Sequence, residues 1–261
     1  MRLAELVVVF WRGWLFVSLP RVSAACAQSP QEQKLLDLIN AARADAGLKA
    51  LAWDAGLATA AHAHAQRMAD VGTLSHQYDG EPDVAARSSA AGARFSTIEE
   101  NIAIGDTPQQ IQDGWMRSQV HHDNLLNPSM DRIGVALVSA HRTLFAVADF
   151  TAGVASKSSE QVEADVGKML QRRGLTLKTD NAGARRYCES EAGDAAASLG
   201  LKARFLMRWQ GSDLSKMPPQ LEQRVGSGEF KQAEVGACSA HGDGGSGGPV
   251  FSVYRVAVLL Y

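Results

Sequence analysis

The 261-residue chain sets 26 Lys and Arg against 28 Asp and Glu, a net charge of -2, and 46% of its residues are hydrophobic. That composition excludes a disordered or collagen-like chain, and its length suffices for one large core or two modest ones. A near-neutral balance withholds the basic face that offsets phosphates, so nucleic acid is excluded as a partner class.

Residues 1–27 read as a signal peptide. Arg2 precedes the apolar stretch 6–11, Arg12 interrupts, 14–20 is apolar again, and small residues run from Ser23 to Ala27. No uncharged run reaches the roughly 18 residues of a membrane span, so no transmembrane segment is expected. Ala25-Cys26-Ala27 is a small-x-small cleavage site before Gln28. The expected location is secreted, with lipid attachment at Cys26 as the alternative. Cleavage leaves Cys188 and Cys238, an even pair that in an exported chain reads as one disulfide, against two buried thiols as the other reading. Closing a loop of that size stabilises a fold by about 4 kcal/mol in the chain-entropy model.

Along the chain, Leu35, Leu38, Ile39 and Ala42 make a helical stripe over 31–47 with Gly47 at its end. Asp54 can N-cap a second helix that buries Leu57, Ala61, Ala65 and Met68. Residues 72–98 are polar and rich in Gly and Ser, which predicts a long irregular segment. Thr107-Pro108 opens a helix through Ile111 and Trp115 to Ser118, and His121 is expected to end it, one turn beyond Ser118 on the same face. Runs 132–138 and 143–150 are β-rich and joined by a polar turn, an antiparallel hairpin.

Residues 151–159 shift to Gly, Ala, Ser and Lys, a linker. Beyond it, 162–170 reads as helix, 205–209 as strand, and 250–261 as the most β-like run. The poor alternation of 254–261 suits a strand buried on both faces. No internal repeat is visible, and five glycines crowd 242–248. Residues 158–261 are expected to form a smaller α+β module held by the disulfide.

Four motifs in the first half line up in order. They are Leu38-Ile39-Asn40 with Arg43 and Leu51-Ala52-Trp53-Asp54; Ala63-His64-Ala65 with Ser75-His76; Glu100-Asn101-Ile102-Ala103; and Trp115-Met116-Arg117-Ser118 with His121, Asn124-Leu125-Leu126 and Ile133-Gly134. The series resembles the CAP superfamily of cysteine-rich secretory proteins, antigen-five allergens and pathogenesis-related proteins, its bacterial branch above all, over residues 31–152. The resemblance implies an α+β fold, a three-layer αβα sandwich with an open cleft, and an extracellular location. It also implies cleft positions: His76 as first histidine, Glu100 as the acid of the Glu-Asn motif, and His121 as second histidine. The family's second acid falls on Ser118, which removes one carboxylate. Glu99 stands where the family prefers Gly, and His122 where Arg is common.

Two neutral imidazoles and a carboxylate, here His76, His121 and Glu100, are a three-ligand set for Zn²⁺ that leaves one position to water. These residues are far apart in sequence and meet only through the fold. The other reading is a metal-free cleft in which they hydrogen-bond each other. His62 and His64, on a helix, read as a surface and a packing residue, and Trp115 as core. Thr59-Ala60-Ala61-His62 and Gly245-Ser246-Gly247-Gly248-Pro249 echo trypsin-like proteases, yet no barrel-like succession of strands accompanies them and Ser246 reads as a turn residue. Two function classes follow. The first is an extracellular binding module for a peptide, lipid or glycan; the alternative is a metal-assisted hydrolase using the same cleft.

The N-terminal reading has a direct check by intact mass of protein recovered from the extracytoplasmic fraction. The expected species begins at Gln28 and titrates no free thiol; a diacylglyceryl mass on Cys26 would make it membrane-anchored, and two titratable thiols would reject the disulfide.

Overall fold

The structure is a computed structural model and describes residues 28–190, 199–238 and 251–261. The expected signal peptide, Cys26, the glycine run 242–248 and Ser246 lie outside the described residues. Two four-stranded sheets, each with its own helices and hydrophobic core, succeed one another along the chain. The fold is α+β, with helices on both faces of the first sheet.

The first unit runs α1 (Pro30–Asp45), β1 (Ala52–Trp53), α2 (Ala55–Val71), α3 (Val84–Ala90), β2 (Phe95–Gly105), α4 (Pro108–Arg117), α5 (Gln119–Leu125), β3 (Arg132–Ala140) and β4 (Thr143–Gly153). Its sheet order is β1-β3-β4-β2, parallel at the first pair and antiparallel at the other two, so β2 is an edge strand. The helix starts follow local chemistry. Ser29 and Glu32 form a reciprocal capping box on α1, Asp54 accepts from the Leu57 N–H, and Thr107 caps α4 with Pro108 at its first position.

One sheet face meets α1 and α4 through Leu35, Ile39, Ile111, Trp115 and Phe150, and the other meets α2 through Ala61, Ala65, Met68 and Val147. The approach of α2 to β3 depends on Gly134, where an added Cβ would lie 2.2 Å from the Ala58 nitrogen. Trp115 is core, and its indole N–H donates to the Ile102 carbonyl at 3.1 Å.

Three expectations are corrected. Residues 72–98 are not irregular throughout: Asp83 caps α3, and β2 begins at Phe95. The helix from Pro108 stops at Arg117, because Ser118 takes an extended conformation (φ -98°, ψ 116°) that breaks the ladder, and α5 restarts beyond it. Strand β4 runs on to Gly153, so the linker is shorter than its composition predicts.

The second unit comprises α6 (Ser159–Arg172), β5 (Thr176–Leu177), α7 (Ala182–Glu189), β6 (Phe205–Gly211), α8 (Pro219–Gly226), β7 (Gln232–Cys238) and β8 (Tyr254–Leu260), with sheet order β5-β7-β8-β6. Strand β8 is central and buried, and Cys188 on α7 is bonded to Cys238 on β7. The units touch at the start of the edge strand: the Ser252 N–H donates to the Phe95 carbonyl at 2.7 Å, and Phe251 meets Phe95 edge-on. Among the described residues no helix is long and apolar enough to cross a membrane.

Arg43 is 1% exposed and faces no carboxylate. Its guanidinium instead donates to four carbonyls, those of Lys49 (3.0 Å), Leu125 (2.8 Å), Asn127 (3.0 Å) and Met130 (3.2 Å), and so ties α1 to the segment leaving α5. Burial lowers its pKa from the ordinary arginine value. Arg43→Ala strands those carbonyls and is expected to cost about 3 kcal/mol or more in denaturant unfolding, and Arg43→Lys is expected to recover little because one ammonium cannot match a planar fork.

Candidate functional site

The site forms where β2, the edge strand, passes between the loop after α2 and helix α5. Alternation along β2 turns Glu100 and Ile102 toward α2, and Asn101 toward α5. Glu100 is 8% exposed although it sits on an edge strand. Its Oε1 accepts from His76 Nδ1 at 2.7 Å, and its Oε2 accepts from the Arg87 guanidinium of α3. A carboxylate only accepts, so His76 carries its proton on Nδ1 and leaves Nε2 for a ligand. Burial pushes the Glu100 carboxyl up, but the His76 hydrogen bond and the Arg87 charge more than reverse that, and it lies below the ordinary carboxylate range.

His76 is exposed, with 61% of its side chain open to solvent. The Glu100 hydrogen bond raises its imidazole above the ordinary value, against partial burial and the Arg87 charge. His121, half-buried on α5, is shifted the other way, first by burial and then by the charge of His76. Asn101 fixes the approach of α5: its amide donates to the His121 carbonyl at 3.0 Å, and its Oδ1 accepts from Asn124 at 2.9 Å. Glu99, the departure from the Gly of the resemblance, accepts from Asn127 at 2.8 Å and holds the far end of that helix.

Ser118 stands at the break between α4 and α5. It makes no side-chain cap bond and does not share a helical face with His121, contrary to expectation. Each oxygen of Glu100 already accepts one hydrogen bond, Oε1 from His76 and Oε2 from Arg87. Among the described residues no group of three or more His, Cys, Asp or Glu is arranged to hold a metal ion. Glu100 lies behind His76 and orients its ring through Nδ1, as a carboxylate orients a metal-binding histidine.

Four residues at the site escaped the sequence reading of cleft positions. Arg87 lies in the stretch read as irregular. His64, read as packing, is fully buried, and both ring nitrogens meet acceptors, Glu81 at 2.7 Å and the Ser75 carbonyl at 2.9 Å, which fixes the loop that carries His76. His62 is half-buried on the same helix. Asn101 is the second residue of the Glu-Asn motif. Asp149 is fully buried on β4, directly across from Glu100. No N–H or hydroxyl donor of the described residues reaches either of its oxygens, and its carboxyl meets the Glu100 carboxylate. Burial first, then the charge of Glu100, drive its pKa well above the ordinary value, against the opposing charge of Arg87. A lone acid in the apolar strand 143–150 was the signal that could have found it.

The first unit is thus an αβα domain with a His/Glu cleft at a sheet edge. Residues 36–150 match the profile of the cysteine-rich secretory protein family, and this domain is a CAP domain. The chain is 36% identical over 119 residues to the uncharacterized protein YkwD of Bacillus subtilis, a match that covers 45% of this chain and 46% of that protein. It is 31% identical over 112 residues to the uncharacterized membrane protein YlbC of the same organism, covering 42% of this chain and 32% of the relative. The chain therefore spans less than half the length of these relatives. Among solved structures, an extracellular protein containing a SCP domain from Bacillus anthracis aligns at 29% identity and a TM-score of 0.44, over 46% of this chain and 40% of its own.

Asp149 generates a stability prediction. An acid whose folded pKa is raised stabilises the fold fully below its unfolded pKa of about 3.9, and that contribution is lost as pH rises toward the folded value. Asp149→Asn removes the penalty of keeping a carboxyl protonated. The variant is expected to gain about 1–3 kcal/mol over the wild type in urea unfolding at pH 7, with the gain shrinking toward pH 4.

Proposed function

We propose that the CAP domain is an extracellular ligand-binding module whose cleft takes a divalent cation such as Zn²⁺ between His76 and His121. The observation that carries this reading is the buried Glu100, whose hydrogen bond to His76 Nδ1 orients the ring and presents Nε2 outward. The ion would supply a Lewis-acidic point for an oxygen or nitrogen donor of the ligand. The protein supplies the rest: Glu100 fixes the tautomer, Arg87 keeps Glu100 ionised, and Asn101 positions α5. Exposed Leu74 and Val120, close in sequence to His76 and His121, offer apolar surface for a peptide, lipid or glycan.

Metal-assisted hydrolysis is the second reading, and the chemistry favours it less. A general base must be free to accept a proton, whereas Glu100 is engaged at both oxygens and position 118 carries Ser in place of a carboxylate.

Calorimetric titration of Zn²⁺ into metal-free full-length protein tests the proposal. His76→Ala is expected to weaken uptake about 100-fold or more. Both imidazoles must be neutral to bind. Since His76 is raised and His121 lowered, His76 protonates first as pH falls, and affinity should drop through a pH above the ordinary imidazole value of about 6.5, with one proton released per ion. Undiminished uptake in both His76→Ala and His121→Ala, or no uptake by the wild type, would overturn the metal reading.

A further inference from the structure

The sequence shows no repeat, yet the two sheets share one plan. In each unit the described chain runs helix, two-residue strand, helix, edge strand, helix and then two antiparallel strands, with α3 and α5 as additional helices in the first. Each two-residue strand pairs in parallel with the first of those two strands, and the other two pairs are antiparallel, giving β1-β3-β4-β2 and β5-β7-β8-β6. Strand order alone can converge, so the local detail decides.

That detail matches at joint after joint. Both first helices open on a serine capping box, at Ser29 and at Ser158. Both close through a glycine at positive φ, Gly47 and Gly174, followed by a leucine whose N–H returns to the helix, Leu48 to Arg43 and Leu175 to Leu170. The short strands bond alike: Ala52 and Asp54 donate to Asp131 and Ile133, as Thr176 and Lys178 donate to Lys231 and Ala233. The edge strands both end on glycine, Gly105 and Gly211, and the next helix begins with proline at its first position, Pro108 and Pro219. Each such helix then buries two apolar residues four apart, Ile111 with Trp115 and Leu221 with Val225.

Register converts this plan into residue equivalences. Across the first sheet Trp53 pairs with Ile133, Ile133 with Phe150 and Phe150 with Glu99; across the second Leu177 pairs with Ala233, Ala233 with Leu260 and Leu260 with Phe205. One residue further on, Glu100 and Asp149 correspond to Leu206 and Leu259, themselves a cross-strand pair. Asn101 corresponds to Met207. Helix α5, which carries His121, has no counterpart, because residues 227–231 connect α8 to β7 where 118–131 connect α4 to β3. Arg43 corresponds to Leu170. Arg43 exists to bind carbonyls at the exit of α5, and where α5 is missing its place is taken by a fully buried leucine.

We propose that residues 158–261 are a second copy of the CAP domain's fold from which the cleft has been removed, so that the chain pairs one binding domain with one structural companion. The cleft carboxylate, its buried acid partner, the asparagine, the histidine helix and that helix's arginine anchor are absent together, as expected of parts that serve one site. What the copy retains is a core and a dock: its segment before β8 covers Phe95 at the start of β2, the strand that carries Glu100.

Two measurements on the full chain test this. The first needs no ligand: long-range backbone NOEs and amide exchange should show Thr176 and Lys178 protected by pairing with β7, and Leu206 opposite Leu259. A different strand order, or another residue opposite Leu259, overturns the proposal. The second uses Zn²⁺ alone and rests on the metal reading above: the His76→Ala/His121→Ala double variant should lose stoichiometric uptake entirely. A site that survives it and disappears on Glu234→Gln, within the second unit, overturns the proposal. Failure of the wild type to take up Zn²⁺ overturns the metal reading alone, and the register measurement still decides this one.

Discussion

Glu100 is an anion buried on an edge strand, and much of the first unit is arranged to keep it there. Removing a carboxylate from water costs several kcal/mol, and that cost falls on the fold unless opposite charge and hydrogen-bond donors replace the lost solvent. Arg87 supplies the charge and His76 a donor, from elements remote in sequence. Helix α3 therefore cannot drift from β2, and the loop after α2 cannot swing away without stranding a buried charge. The cleft is rigid for the same reason that it is polar.

The two acids at the centre are shifted in opposite directions. His76 and Arg87 hold the Glu100 carboxyl below the ordinary range, whereas burial and the charge of Glu100 push Asp149 well above it and outweigh the charge of Arg87. Two carboxyl groups this close share a proton more readily than they bear two charges. His64 bonds Glu81 and the Ser75 carbonyl, which carries His76 to the rim, and its Nε2 stands 4.0 Å from Glu100 Oε2. Burial thus acts in opposite senses on neighbouring groups, and each sense follows from what lies opposite.

What was legible in the sequence was local. Ser29, Asp54 and Thr107-Pro108 announce their helices because a cap is made by the residue itself and its next three neighbours, and the hairpin of β3 and β4 is announced by its apolar runs. Strand β2 was harder: Glu99, Glu100 and Asn101 interrupt the apolar pattern that marks a strand, because their side chains serve the cleft and α5. Helix α3 hid among small polar residues whose only sign was Asp83. The break at Ser118 is set by the docking of α5 through Asn101, a contact between distant residues that no window along the chain contains. His76, Glu100 and His121 were found by motif order, whereas Arg87 and Asp149 act through spatial neighbours and carry no motif.

The second unit shows the same plan with its buried carboxylate elsewhere: Glu234 on β7, 6% exposed, is met by Lys178 at 3.0 Å and by the Tyr261 hydroxyl at 2.7 Å. With leucines at the positions of Glu100 and Asp149, that pair itself needs no guanidinium, histidine or carboxyl proton, and its apolar side chains add burial in place of a desolvation cost. Replacing one member of such a network leaves the others unsatisfied; replacing all of them together is nearly neutral or stabilising. That asymmetry explains why the cleft is either complete or absent, with no half-furnished site between. The first unit bears the cost of an anion buried at its cleft, and the second, closed by the Cys188–Cys238 bond, holds its buried Glu234 against Lys178 and Tyr261 instead.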